Sequence, residues 1–243
     1  TLCFRVTDAG TTYDTYLQVA ELSLKFDPVL GTPTLNDGMP ISLLPGTTTR
    51  VYATTTVSDG NGPSDLAAAT TTFYRGGVGA ACTPDNNSCY VVSTADSCSF
   101  TNCVGSTCDL ECYADVYFHA DPTDSGSAFD GQEWFAFMEV EDLNEGYDFD
   151  TSIGQELFTL RAITVNNAID YGVLAVNSDT GSTNASTTIE NQGNVEADIE
   201  VVGTDLTDGF SSTIPAPQQL FATSTFTYNT CGVSCAILSS TTP

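Results

Sequence analysis

The chain has 243 residues, 31 of them acidic and five basic, for a formal charge of −26. That balance argues against a nucleic-acid partner and an anionic membrane surface, because phosphate binding needs Lys and Arg. No stretch reaches the roughly twenty apolar residues of a membrane span, and the length allows two domains that each bury a core.

Residues 1–26 read as an opening strand arm. Leu2, Phe4 and Val6 alternate with Cys3, Arg5 and Thr7, the period of two of a half-buried strand. A turn is expected at Asp8-Ala9-Gly10. Leu17 and Val19 then alternate on one parity and Leu22, Leu24 and Phe26 on the other, the slip of a bulge or of a strand that passes between sheets. Two arrangements are open: the arm packs into its own domain, or another copy of the chain receives it.

Residues 27–48 are broken by Pro28, Gly31, Pro33, Gly38, Pro40, Pro45 and Gly46, leaving a short strand at 41–44. Residues 49–57 are β-branched and alternating, a strand. A loop follows from Asp59 to Asp65, with one helical turn open at 64–69 against a strand over 66–75. Further strands are expected at 89–92, 111–120 and 133–140, the last carrying the only tryptophan, Trp134. Residues 27–155 therefore read as one β-sandwich with a Cys-rich insertion at 82–112. Strands over 157–165, 169–176, 186–191, 197–202 and 220–228, separated by Asn, Asp and Gly turns, read as a second sandwich over 156–243. The expected fold is all-β: two immunoglobulin-like β-sandwiches with an N-terminal strand arm and a disulfide-rich insertion.

Nine cysteines and two sequons, at Asn86 and Asn184, point to an extracellular or cell-surface location. With no secretory signal at its start, the sequence reads as a processed secreted chain or a fragment of a longer one. Cys82 and Cys89 bracket a turn, as do Cys231 and Cys235, so each pair is expected to close a local loop. Cys98, Cys103, Cys108 and Cys112 make two more bridges whose pairing stays open. Zinc is the rival reading, but His119 is the only histidine. Cys3 is left over, either buried and idle or bonded to another chain.

Candidate chemistry is confined to acidic turns and aromatic strands. Asp59, Asn61 and Asp65 offer hard oxygen ligands in a glycine-rich loop, without the full calcium-loop pattern. Asp121 and Asp124 end a strand and can converge on it, as can Asp142 and Asn144. The competing reading is that these residues form solvated turns. No cofactor is required; calcium is the optional ligand. Glu139, Glu141 and Asp142 resemble the paired carboxylates of glycoside hydrolases, but acids on a strand of so acidic a chain line its solvent face. His119 has no nucleophile pattern beside it. Tyr113, Tyr117, Phe118, Trp134 and Phe135 form either a sugar-stacking platform or a sandwich core. Lys25 alone is thin support for an isopeptide crosslink.

Three stretches carry a resemblance: LCFRVTDAG at 2–10, VSDGNGPSDL at 57–66, and IDYGVLAVNSDTGSTNASTTIENQGNVEADIEV at 169–201. Together they resemble modular immunoglobulin-like surface proteins of bacteria, in particular tandem β-sandwich arrays of candidate-phylum lineages. The resemblance implies a cell-surface or appendage protein and transfers no catalytic residue. The frame departs from it, since the chain starts on what resembles a last strand. That frame suggests a structural, non-enzymatic subunit of an extracellular filament. It would assemble head-to-tail with copies of itself by donating Leu2, Cys3, Phe4 and Val6 to a neighbour. The alternative is a calcium- or glycan-binding adhesin or surface-layer module of a longer anchored protein.

Overall fold

A computed structural model describes residues 6–8, 11–13, 24–166, 168–175 and 177–239, and for 6–8 and 11–13 the backbone alone. The described chain is all-β, with antiparallel ladders and no helix longer than a single 3-10 turn. It divides into two units, Thr1–Leu160 and Arg161–Pro243.

In the first unit, β1 (Val6–Asp8) pairs antiparallel with β2 (Thr11–Tyr13). Leu2, Cys3 and Phe4, and the side chain of Val6, lie outside the described residues. The strands that build the core are β3 (Val29–Leu30), β4 (Thr34–Leu35), β5 (Thr48–Ser58), β6 (Leu66–Arg75), β7 (Cys89–Ser93), β8 (Cys98–Val104), β9 (Thr107–Tyr117), β10 (Trp134–Asp142) and β11 (Tyr147–Thr151). One sheet runs β3-β5-β9-β8, with β4 also on β5; the other runs β11-β10-β6-β7.

Alternation explains why these segments form two layers around one core. On β9, Cys108, Leu110, Cys112, Ala114 and Val116 are buried, and the residues between them are exposed or half-buried. Val51, Ala53 and Val57 do the same for β5; Trp134, Ala136, Met138 and Val140 for β10. These side chains form a single apolar cluster, and each large one contributes about 1.5–3 kcal/mol by leaving water. Trp134 is 1% exposed, and its indole N–H donates to the Asp121 carbonyl at 2.9 Å.

The cysteine-rich stretch is not an insertion. It supplies β7, β8 and the start of β9, and so belongs to both sheets. Cys98 faces Cys112 across the β8–β9 ladder and is disulfide-bonded to it. Cys103–Cys108 spans the end of the same hairpin, and Cys82–Cys89 closes the turn before β7. Strand β9 begins at Thr107 rather than 111, because Gly105 (φ 64°) turns the chain tightly enough to pair Val104 with Thr107. The expected strand at 41–44 reduces to a parallel bridge between Ile41 and Leu157. Leu157 is fully buried, and Leu160 packs against the same core, which carries the first unit past the expected boundary at 156. The helical turn considered at 64–69 is a 3-10 turn, Pro63–Asp65, that leads into β6.

Among the described residues the second unit has three short ladders: β12 (Ile163–Asn166) with β13 (Thr188–Asn191), β14 (Leu206–Thr207) with β15 (Thr213–Ile214), and β16 (Leu220–Phe221) with β17 (Ala236–Ile237). Residues expected as strands at 169–176 and 197–202 form none among the described residues; Val202 makes only a bridge to Ser239. Ala216 and Leu238 are the buried apolar residues described there. Among the described residues these ladders run two to four residues, short of the strands expected over 156–243.

Candidate metal centre

Two strands of different sheets run into an aspartate at the same parity, Asp59 just after β5 and Asp142 at the end of β10. On β5 the inward row Val51, Ala53, Val57 continues to Asp59. On β10 the row Trp134, Ala136, Met138, Val140 continues to Asp142. Each carboxylate thus takes the next core-facing place after a valine, and both are buried, at 1% and 3% exposure. Asp65 ends the 3-10 turn between them and is half-buried. One carboxylate oxygen from each of Asp59, Asp65 and Asp142 falls within a common span of 4.8 Å.

Local hydrogen bonds aim the side chains. Asp59 Oδ1 accepts the Asn61 N–H at 2.6 Å. Asp142 Oδ1 accepts the N–H groups of Asn144 and Gly146 at 2.7 and 2.8 Å. The same Asp-x-Asn turn, with the carboxylate bonded two residues ahead, therefore occurs in both loops. The Asn144 amide donates to Asp65 Oδ2 at 2.7 Å, and the Leu143 N–H donates to the Asp65 carbonyl at 2.7 Å, joining the loops. The remaining oxygens, Asp59 Oδ2 and Asp142 Oδ2, are buried with no hydrogen-bond partner.

An unpartnered buried carboxylate oxygen is strongly unfavourable. Two unit charges about 5 Å apart at an effective dielectric of about 20 repel by roughly 3 kcal/mol. A hard cation answers both. Calcium takes six to eight oxygens at about 2.3–2.6 Å in flexible geometry, so oxygens bound to one ion can lie up to about 5 Å apart. The donor set, all carboxylate oxygen with no sulfur or imidazole, selects calcium or magnesium over zinc.

The other expected ligands go elsewhere. Asn61 spends its side chain on the backbone, donating to the Leu24 carbonyl at 2.6 Å and accepting the Phe26 N–H at 2.9 Å. Asp121 pairs with Arg75 at 2.9 Å, both side chains mostly buried. Burial pushes the Asp121 carboxyl above its usual range, against the opposing pull of that guanidinium. Asp124 accepts the Thr159 hydroxyl at 2.7 Å. Asp142 completes the centre from 77 positions beyond Asp65 in the chain, counted as 142 less 65. The signal for it was the shared Val-x-Asp ending of two alternating strands, Val57-Ser-Asp59 and Val140-Glu-Asp142.

Glu139 and Glu141 lie exposed on the outer face of β10, while Asp142 faces inward, so the three do not converge. Trp134 is core. Phe135 stacks on Tyr74, and Tyr113 lies beside Tyr52 under the Arg50 guanidinium. His119 bonds Asn87 at 3.0 Å and stacks on Tyr117. Lys25 Nζ donates to the Asn144 carbonyl at 3.4 Å. Asn86 is exposed in a turn at positive φ, whereas the Asn184 side chain exchanges two hydrogen bonds with the Phe226 backbone. Cys231 and Cys235 are bonded as expected from their spacing; Cys3 lies outside the described residues. Four disulfides fit an oxidising, non-cytoplasmic compartment. No helix among the described residues is long and apolar enough to cross a membrane.

No family model and no curated protein matches the chain. Among solved structures, a DUF4466 family protein from Parabacteroides merdae aligns at 11% identity with a TM-score of 0.28. The match covers 70% of this chain, which spans 56% of that one.

Proposed function

We propose that this protein is a non-enzymatic, extracellular structural module of the immunoglobulin-like kind, stapled by disulfides and closed by calcium. The observation that carries the reading is the pair of buried, unpartnered oxygens of Asp59 and Asp142, one from each sheet, with Asp65 alongside. A calcium ion there joins the two sheets at one edge of the core and neutralises charge that would otherwise drive the loops apart. Calorimetric titration of the chelator-treated chain tests it. One calcium site is expected, lost in Asp59→Asn and in Asp142→Asn, with magnesium binding more weakly. No binding at about millimolar calcium, the working range of extracellular modules, overturns the reading.

A filament role is the second reading, supported by the second unit. There Val173, Ile189, Val201, Val202, Phe210 and Ile237 stay exposed. Such a surface suits completion by a strand from another copy, with Leu2, Cys3, Phe4 and Val6 as the donated row. Electron microscopy of the full chain beside a version lacking residues 1–10 tests it. Filaments from the first alone support strand donation; filaments from neither or from both refute it.

A further inference from the structure

The segment from Leu24 to Asp27, which leads into β3, lies on the two loops that carry the aspartates. Asn61 holds it by two backbone hydrogen bonds, to Leu24 and Phe26. The Phe26 ring covers Gly60 so closely that a β-carbon there would lie 2.6 Å from Cγ. Lys25 reaches the Asn144 carbonyl. A β-carbon on Gly146 would meet Asp27 Oδ1 at 2.6 Å and Asp142 Oδ2 at 2.7 Å. Asp27 therefore brings a further carboxylate to the edge of the centre, on the same side of Gly146 as the Asp142 oxygen that has no partner.

The clasp and the centre share their parts. Asn61 holds the segment with its side chain and Asp59 with its backbone N–H. Asn144 holds Lys25 with its carbonyl, Asp142 with its N–H and Asp65 with its amide. Fixing Asp59, Asp65 and Asp142 around one ion fixes both asparagines. Leaving three or four carboxylates uncompensated pushes the loops apart and opens the clasp.

We infer that calcium at Asp59, Asp65 and Asp142 locks residues 24–27 against the sandwich through Asn61, Asn144 and Asp27. Residues 24–27 are then held on the two loops in calcium and released without it. This rests on the calcium reading above and adds its mechanical consequence.

Lys25 is the sole lysine of the chain, so a lysine-specific endoproteinase reports on this segment alone. Cleavage after Lys25 in the full chain is followed at rising calcium, with affinity measured in parallel by titration. If calcium binds only the clasped state, cleavage slows by the factor 1 + [Ca]/Kd, about tenfold at ten times Kd. In Asn61→Ala, at calcium scaled to that variant's own Kd, protection falls below about twofold. Calcium binding with no change in cleavage overturns the clamp and leaves the site standing. Full protection in Asn61→Ala also overturns it. Absence of binding overturns the site, and the clamp with it. Exchange of the Phe26 amide, which donates to Asn61, gives a second readout and should slow by the same factor.

Discussion

Asp59 and Asp142 each stand two residues beyond a buried valine, Val57 and Val140, and each keeps Oδ2 buried without a hydrogen-bond partner. Their strands belong to different sheets. The sheets thus meet, at this edge, through carboxylates rather than through apolar contact, and the stability of the edge depends on what neutralises them.

That dependence predicts a reversal of sign. In chelator, Asp142→Asn removes like-charge repulsion, so the variant should unfold at or above the wild-type temperature. In calcium the order inverts. A ligand bound only to the native state contributes about 2.7 kcal/mol at 100 times Kd, about 5–10 °C for a chain of this size. Scanning calorimetry of both proteins under both conditions checks this. A variant that is less stable in chelator would make Asp142 a loop acceptor and no more.

Arg75 and Asp121 form the most buried ion pair described, with side chains 11% and 15% exposed. The guanidinium also lies 3.8 Å over the Phe129 ring and bonds the Gln132 amide oxygen. Arg75→Leu leaves a buried carboxylate alone and should lose about 3 kcal/mol or more. Arg75→Leu with Asp121→Leu should recover much of that loss. Urea denaturation of the two variants decides between an uncompensated charge and simple loss of packing, which the double variant would not repair.

Asp85 governs the turn closed by Cys82–Cys89. Its Oδ1 accepts the N–H groups of Asn87, Ser88 and Cys89, and its Oδ2 accepts the Ser88 hydroxyl. Burial pushes its pKa up, but these donors, led by Ser88, together outweigh it and hold the carboxyl below its usual value of 3.8. A depressed native pKa contributes stability above the unfolded value, and that contribution fades as pH falls through the native one. Wild type should therefore exceed Asp85→Asn in stability at neutral pH, with the gap closing below pH 3.8. A gap independent of pH would assign the effect to the shape of the turn.

The disulfides differ in what they hold. Cys98–Cys112 encloses a sequence separation of 14 and is buried; Cys103–Cys108 separates by 5 and its first cysteine is exposed. Replacing the first pair by alanine should cost about 3 kcal/mol and the second about 2 kcal/mol. Peptide mapping without reductant should return both pairs, and a Cys98–Cys108 product would contradict the β8–β9 register.

Strand identity in the first unit was legible because burial there is regular. The alternation of residues 49–57 and 133–140 names both the strand and its inward face, and Cys82–Cys89 follows from a short loop with a turn sequence. Period alone could not separate Cys98–Cys112 from its alternatives, since the choice depends on which residues β8 and β9 place opposite each other. Nor could it recognise 82–112 as part of the sheets, because disulfides and glycine turns look the same in an insertion and in a hairpin. In the second unit, turn residues every few positions resemble strand boundaries, yet burial decides whether the pieces between them pair at length, and there they do not.

The amino-acid sequence by itself determined that this is an all-β, acidic, disulfide-bearing chain, because alternation, charge and cysteine spacing act locally. Only the tertiary structure decided which acids share a site. Asp59 and Asp142 lie 83 positions apart, counted as 142 less 59, and meet because β5 and β10 end at one edge of a common core. Asp121 and Asp124, no less acidic, are spent on Arg75 and Thr159. Proximity across two sheets is a property of packing: the Val-x-Asp endings mark Asp59 and Asp142 as inward-facing, but not as neighbours.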